Sequence, residues 1–392
     1  MKKKNVASVF ASFLVAASVM AGCSSSTSGN AGGSGDKVIK IGANLELSGG
    51  VASYGQSIKE GIDLAIAEIN KKGVNGSKLQ LDSFDNKSDA AEAANGAIKL
   101  ISQDKVAAII GSATSGDTLA QVQIAQDNKV PILTPSGTSP DVTFKNGKLN
   151  DFVFRTCFID PFQGTVAANF ATNELKVKKA AIMIDNASDY AKGLAASFTT
   201  DLTKNGGTVV SKEAYVAKDT DFHATLTRIK STNPEFIFIP GYYEEVGLII
   251  KQAREIGLNV PIIGADGWDS PKLVDLAGAA ALNNTYITNH YSSGDTDAKV
   301  QGFVKAFQAK YSKAPDAFNA LGYDSAYFIA DAIKRAGSAD SQKIQKALAE
   351  TNGLSLVTGT MTLDKNHNPI KSAVILEYKD GKQTFKTKVN PQ

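Results

Sequence analysis

The chain has 392 residues, of which 43% are hydrophobic, so it can bury a large core and is long enough for two domains. Its net charge of +3 comes from 42 basic and 39 acidic residues, and the three lysines at positions 2–4 account for all of it. The remainder is formally neutral, which argues against a nucleic-acid partner, because such proteins normally carry a basic surplus.

The N-terminus has the layout of a secretory signal peptide. Three lysines precede an apolar run from Val6 to Met20, which is too short to span a bilayer as a helix. Ala21 and Gly22 then lead to Cys23, so small residues stand at the cleavage site and a thiol follows that can carry diacylglycerol. This junction resembles a bacterial lipobox. We predict that residues 1–22 are a signal peptide and that a lipid on Cys23 anchors the protein to the outer face of the cytoplasmic membrane.

Residues 23–36 are predicted to be the lipidated cysteine and a flexible tether. After Cys23 this segment consists almost entirely of Ser, Gly, Thr, Asn and Ala, a composition that cannot bury enough apolar surface to become ordered. The tether should carry no chemistry and should hold the folded part close to the membrane.

From residue 38 onward, short apolar runs alternate with helical periodicity, a pattern typical of βαβ units and a largely parallel sheet. Two such series are present. Strands of the first are predicted at residues 38–43, 79–81, 106–110 and 130–133, and strands of the second at residues 180–184, 209–210, 236–239 and 262–264. Later stretches are predicted to return to lobes already begun: helices at 300–311 and 326–335 and a strand at 374–378.

Two loops in the first series are rich in hydroxyl groups. Residues 111–116, ending in Ser115 and Gly116, follow a predicted strand and open a helix, where free N–H groups favour a carboxylate. Residues 134–140 contain Ser136 and Thr138 between two prolines. Taken alone, the second loop favours a plain turn with a serine cap over a binding loop. Because ligands of open α/β sheets bind beyond the carboxyl ends of the strands, the two loops together favour a carboxylate-binding site.

Strand ends in the second series carry an acid and two tyrosines. Asp266 lies between glycines after the strand at 262–264, and Tyr242 and Tyr190 follow two other strands. A carboxylate in such a loop can pair with an ammonium group. The alternative is that Asp266 caps the next helix, although Asp269 and Ser270 stand nearer to its start. We expect Asp269 to lie at the surface.

In its motifs and in their order, this sequence resembles the leucine, isoleucine and valine binding proteins of bacterial ABC importers. These proteins belong to the wider periplasmic binding-protein group. The resemblance covers residues 38–378. Its marks are residues 51–56 with Tyr54, the EINKKG segment, the Ser115 loop, the TPSGTSP loop, residues 160–164, the GYYEE segment and Asp266.

The resemblance implies an α/β protein of the type I periplasmic binding-protein class, with two Rossmann-like lobes around parallel-type sheets joined by hinge strands. Residues 37–158 with 289–357 would form the first lobe, and residues 159–288 with 358–392 the second. The expected partners are a small amino acid and an ABC permease with its ATPase, and the chain is expected to be a monomer.

Site residues follow from the same resemblance. The side chains of Ser115 and Thr138, with backbone near Ser136, would bind the ligand carboxylate. On the opposite lobe, Asp266 with the two tyrosines named above would bind the ammonium group. The side-chain pocket would be lined by Tyr54, Phe318 and Phe162. Trp268 would either reshape this pocket or pack beneath its loop.

Neither an enzyme nor a metal site is predicted. The sequence contains no phosphate-binding, dinucleotide-binding, HExxH or GxSxG motif, and His223, His290 and His367 stand far apart in the chain. Only Cys157 remains once Cys23 is lipidated, so no intramolecular disulfide is available, and we expect Cys157 to be a small buried hydrophobe. No cofactor is expected. The alternative function is a receptor domain that senses amino acids, small amides or organic acids.

Overall fold

The computed structural model describes residues 37–391, so the predicted signal peptide, Cys23 and tether lie outside the described residues. The first part of the chain forms β1 (Lys37–Leu45), α1 (Ala52–Ile69), β2 (Ser77–Asp85), α2 (Ala90–Ser102), β3 (Ala108–Ile110), α3 (Ser115–Leu119), α4 (Val122–Asn128), β4 (Ile132–Thr134), β5 (Phe144–Lys145), β6 (Lys148–Leu149) and β7 (Val153–Arg155).

The middle part forms α5 (Asp160–Asn169), β8 (Lys179–Asp185), α6 (Asp189–Lys204), β9 (Thr208–Tyr215), α7 (His223–Ser231), β10 (Phe236–Phe238), α8 (Tyr243–Glu255), β11 (Ile262–Gly264), α9 (Pro271–Ala277) and β12 (Thr285–Asn289). The last part forms α10 (Ala298–Tyr311), α11 (Ala317–Ala336), α12 (Ser341–Ala349), β13 (Leu354–Leu356), β14 (Gly359–Met361), β15 (Ala373–Lys379) and β16 (Lys382–Val389). Each predicted strand and helix named above is confirmed, with shifted ends.

Two sheets organise these elements. The first has five parallel strands in the order β2-β1-β3-β4-β7, and the second has seven in the order β16-β15-β12-β11-β10-β8-β9. In the second sheet, β15 pairs antiparallel with β12 and with β16, whereas the other four strand pairs are parallel. The prediction of largely parallel sheets is therefore confirmed. We call the elements around the first sheet the first lobe and those around the second sheet the second lobe.

The chain passes between the lobes after β7, after β12 and after β14. The middle passage brings α11 back onto α1, and two glycines allow these helices to approach closely. A Cβ atom on Gly61 would lie 2.0 Å from the Asn319 carbonyl oxygen, and one on Gly322 would lie 2.2 Å from that of Ile58. Helix α11 begins with a capping box formed by Asp316 and Asn319. The predicted lobe boundaries near residues 158, 288 and 357 stay a prediction.

Central strands are buried on both faces, as parallel sheets covered by helices require. Every residue of the central strands β3, β4, β10 and β11 is buried, and so is every residue of the edge strand β7. Cys157 lies two residues after β7 and is fully buried, and burial raises the pKa of its thiol to about 12. The expectation of a buried cysteine is therefore confirmed.

Candidate functional site

A narrow cavity lies between the lobes, at the carboxyl ends of the parallel strands. It is lined by Tyr54, Ala113, Thr114, Ser115, Ser136, Tyr190, Tyr242, Asp266, Gly267 and Phe318. Seven of the nine predicted ligand-binding residues are in this set. Thr138 is fully buried but does not line the cavity, and Phe162 packs edge to face on Phe158 with ring centroids 5.9 Å apart.

The cavity has a volume of about 10 Å³, close to the space that one water molecule needs. An amino acid is several times larger, so the lobes or the lining side chains must move apart to admit one.

On the first lobe, the Ser115 loop is fixed from below by a buried carboxyl group. Glu46 accepts hydrogen bonds from the backbone N–H groups of Ala113 (2.9 Å) and Thr114 (3.0 Å). Burial is the main cause that raises the pKa of Glu46, and the neighbouring Asp117 raises it further. The loop that carries Ser115 is thus positioned by one acid that is far from it in sequence.

The second hydroxyl-rich loop is joined to the first. The Ser115 hydroxyl accepts a hydrogen bond from the Ser139 N–H (3.1 Å), and the Ser136 hydroxyl donates to the Ala113 carbonyl (2.8 Å). Arg155, fully buried, donates to the carbonyls of Gly137 (2.7 Å) and Ser139 (2.8 Å). These bonds hold the loop against β7.

On the second lobe, Asp266 starts a short 3-10 turn and its carboxylate is buried. Its Oδ1 accepts hydrogen bonds from the Tyr190 hydroxyl (2.7 Å) and the Gln163 amide (3.0 Å), and its Oδ2 lies 3.0 Å from His290 Nε2. Burial raises the pKa of the Tyr190 hydroxyl well above its ordinary value, so this group stays a neutral donor.

Gln163 and His290 were not predicted from the sequence. Gln163 lies on α5, where its side-chain oxygen also accepts from the Asp266 backbone N–H (3.0 Å). His290 follows β12 and stacks on Phe158 with ring centroids 3.7 Å apart. Gln163 lies within residues 160–164, a segment on which the family resemblance is based. That segment is the one feature of the sequence from which Gln163 could have been predicted as a site residue.

Aromatic rings form the rest of the cavity wall. Tyr54 stacks on Phe318 with ring centroids 4.3 Å apart and lies edge to face with Tyr242. Its hydroxyl donates to the Gly267 carbonyl on the other lobe. Tyr190 stacks on Tyr242 at 5.1 Å. Much of the cavity lining is therefore aromatic, and Tyr54 reaches both lobes.

Residues that follow Asp266 have structural roles. Trp268 is fully buried beneath the loop, where its indole N–H donates to the Ile239 carbonyl (2.9 Å), and it does not line the cavity. Ser270 caps α9, so Asp266 is not the cap of that helix. The expectation of a surface position for Asp269 is wrong: its carboxylate is buried and accepts from Asn289, Gln383 and the backbone of Ala317.

Among residues 37–391, no cluster of three or more His, Cys, Asp or Glu side chains is arranged to hold a metal ion. Within the same range no helix combines the length and apolar character needed to cross a membrane.

Comparison with known proteins gives the family. The sequence profile of the periplasmic binding proteins matches residues 38–383. A leucine-, isoleucine-, valine-, threonine- and alanine-binding protein of Pseudomonas aeruginosa is 30% identical over 90% of this chain and 92% of its own length. A leucine-binding protein from Thermotoga maritima, which has been solved by crystallography, is 39% identical in sequence and matches with a TM-score of 0.85. The match covers 90% of this chain and 99% of that one.

A second solved structure is a branched-chain amino acid transporter substrate-binding protein from Streptococcus pneumoniae in complex with isoleucine. It is 40% identical with a TM-score of 0.86, and the match covers 91% of this chain and 100% of that one. The resemblance found in the sequence is thus confirmed, as is the predicted fold class. The chain belongs to the periplasmic binding protein family and has the two-lobed α/β fold of its type I members.

Proposed function

We propose that this chain is the extracytoplasmic solute-binding component of an ABC importer and that it captures a branched-chain amino acid between its lobes. One observation carries the proposal: groups suited to the two ends of an amino acid line one cavity from opposite lobes. The hydroxyls of Ser115 and Ser136 lie on the first lobe and the Asp266 carboxylate on the second. Relatives named for leucine, isoleucine and valine binding support the choice of ligand.

In this proposal the first lobe binds the ligand carboxylate. The Ser115 oxygen already accepts a hydrogen bond from Ser139, so its own hydrogen is available to donate. Backbone groups near Ser136 would contribute. Thr138 remains a candidate because its buried hydroxyl lies beside the Asp160 carboxyl group and has no closer polar partner within the described chain, so a ligand oxygen that reached it could accept its hydrogen.

Asp266 on the second lobe binds the ammonium group. The cavity-lining set contains no lysine or arginine, and the neighbouring buried acid Asp160 has its pKa raised well above the ordinary value by burial. A ligand ammonium would therefore meet one carboxylate and no competing cation on the wall. The rings of Tyr54 and Phe318 would then contact an aliphatic side chain.

Capture is coupled to closure of the lobes because each end of the ligand belongs to a different lobe. Only the closed arrangement satisfies both ends, so the ligand shifts the equilibrium by its difference in affinity for the open and closed forms. The permease would then distinguish loaded from unloaded protein. The chain acts as a monomer and leaves the ligand chemically unchanged, and a lipid on Cys23 holds it at the outer face of the cytoplasmic membrane.

A thermal-shift screen of residues 24–392 against the proteinogenic amino acids and related small acids tests the ligand class. Ligand at 100 times its Kd should stabilise the protein by about 2.7 kcal/mol through mass action. We expect leucine, isoleucine and valine to raise the Tm most. A screen in which none of these three raises the Tm would contradict the proposal.

A further inference from the structure

The Asp266 carboxylate is bound by three donors, and they are unevenly shared between its two oxygens. Oδ1 receives Tyr190 and Gln163, whereas within residues 37–391 the one hydrogen-bond partner of Oδ2 is His290. A carboxylate offers about two acceptor positions on each oxygen. Oδ1 is therefore saturated, and the position left for a ligand is on Oδ2, beside the His290 ring.

Both donors on Oδ1 have a fixed direction. The Tyr190 oxygen accepts from the Gly267 N–H at 3.0 Å, so its hydrogen points to Asp266. The Gln163 oxygen accepts from the Asp266 N–H and the Thr288 hydroxyl, so its NH₂ group faces the carboxylate. Rotation of the carboxylate, which would exchange its two oxygens, would break these hydrogen bonds.

His290 is held just as firmly. It is 3% exposed, stacks on Phe158, and its backbone N–H donates to the Asn289 side chain at 2.7 Å. Since Nε2 faces a carboxylate, that nitrogen carries the proton, and Nδ1 has no hydrogen-bond partner in the described part of the chain. Burial lowers the pKa of His290, which keeps the ring a neutral donor.

We propose that His290 is a positioning residue: it fixes Asp266 Oδ2 in the direction that receives the ligand's α-ammonium group and so makes the site selective for ligands with that charge. The inference rests on the proposed function. It predicts that His290 acts on the preference for an ammonium group and not on affinity for the apolar part of the ligand.

The ring also links ligand affinity to pH. Charged groups that act on it are Asp266 and Asp269, which favour its protonation, and Lys371, which opposes it. A protonated His290 would place a positive charge beside the ammonium-binding oxygen. Affinity should therefore be highest at neutral pH and fall as acid protonates this ring, and His290→Gln should remove that part of the pH dependence.

The first test compares leucine with 4-methylpentanoate, which lacks the ammonium group, in wild type, His290→Ala, His290→Gln and the control His367→Ala. His367 is a matched control because it is also buried, at 5% exposure, and stacks on Phe154 at 4.2 Å. We expect His290→Ala to weaken leucine binding roughly 10- to 100-fold with little effect on 4-methylpentanoate. The glutamine variant, which keeps an N–H donor, should recover part of the preference, and His367→Ala should keep all of it.

An unchanged preference in His290→Ala, whether or not the variant is less stable, overturns the inference. A second measurement does not depend on the ligand. The chain has three histidines, so the His290 titration can be followed by NMR. Asp266→Asn should move it to lower pH, because a nearby anion favours protonation, and Asp275→Asn at an exposed site should not. If this shift appears but wild type binds no branched-chain amino acid, the proposed function fails while the Asp266–His290 pairing stands; no shift overturns the pairing.

Discussion

Single side chains decide how an amino acid would be bound, and Asp266 is the first to test. Its carboxylate is buried with neutral donors around it, so Asp266→Asn leaves a ligand ammonium desolvated without its counter-charge. We expect a loss of about 2 to 5 kcal/mol in binding free energy, measured by calorimetry. The control is Asp275→Asn, whose side chain is exposed and paired with Lys272. Equal affinities for wild type and Asp266→Asn would reject the ammonium role.

Ser115 and the two aromatic residues should affect binding in different ways. In the proposed site Ser115→Ala removes a hydroxyl that would bind the carboxylate of every amino acid, so it should weaken the binding of leucine, isoleucine, valine and alanine by a similar factor. Tyr54→Ala and Phe318→Ala should instead flatten the preference among these ligands, since each methylene contact contributes roughly 1 to 3 kcal/mol. Dissociation constants of the three variants for the four ligands would distinguish these two effects.

Tyr54 and Phe318 also belong to the buried core of the molecule. If that is their only role, truncation should lower the thermal stability by a few kcal/mol and leave the order of the ligands unchanged. An unchanged order in both variants would therefore contradict the pocket assignment.

At the residue scale, the sequence predicted the cavity residues that lie in the segments between a strand and the next helix or in the first turn of that helix, because the carboxyl ends of parallel strands meet at one edge of the sheet. It could not predict His290, which no local motif marks and which reaches Asp266 only after folding. The prediction that Asp269 lies at the surface was wrong for a similar reason. The groups that compensate its burial come from β12, β16 and the start of α11, all distant in the chain.

Secondary-structure elements followed the apolar pattern closely, and the misses lie where tertiary contacts take over. The predicted helix at 326–335 begins nine residues earlier in the structure, at Ala317. Its first turns pack on α1 through Gly322 and contain the polar residues Asn319 and Asp324, which interrupt the apolar pattern. Strand β16 is largely exposed along its length and gives no buried run to detect.

The passage from β14 to β15 contains a buried lysine that should make stability depend on pH. Lys371 donates to the Thr156 carbonyl at 3.2 Å and to the Thr358 hydroxyl, and burial lowers its pKa to about 8. Between this value and the ordinary 10.5, the unfolded chain binds more protons than the folded one, so stability rises with pH. A shift of this size corresponds to on the order of 3 kcal/mol.

Urea unfolding between pH 7.5 and about pH 10.5 would measure this effect. The gain in free energy of unfolding should be smaller in Lys371→Met than in wild type. Lys388→Met at an exposed position should follow wild type. Parallel curves for wild type and Lys371→Met would show that Lys371 does not change its protonation on folding.

At the scale of the whole molecule, closure can be trapped chemically. The hydroxyl oxygens of Ser53 on α1 and Ser270 before α9 lie 2.7 Å apart across the lobes, which places the two side chains near the separation a disulfide needs. In the oxidised Ser53→Cys/Ser270→Cys variant, the disulfide should keep the lobes closed. The protein should then retain ligand that was bound before oxidation and should not bind ligand that is added afterwards. Cys157 is buried and should not compete. Ligand exchange at the same rate in oxidised and reduced protein would contradict closure at this contact.

The proposed lipid anchor can be tested separately from ligand binding, because Cys23 precedes the described residues. Cys23→Ala should leave the protein unlipidated and released from the membrane, with leucine affinity unchanged. Membrane fractionation together with calorimetry on the released protein measures both effects. A variant that stays firmly in the membrane fraction would contradict the lipid anchor.

The return of α11 onto α1 has a consequence for how the protein is made. Helix α1 ends at residue 69, but α11, which packs on it, ends only at residue 336. At about 5 to 20 residues per second, a ribosome needs on the order of tens of seconds to supply the missing helix. The core of the first lobe therefore cannot be completed until nearly the whole polypeptide has been synthesised.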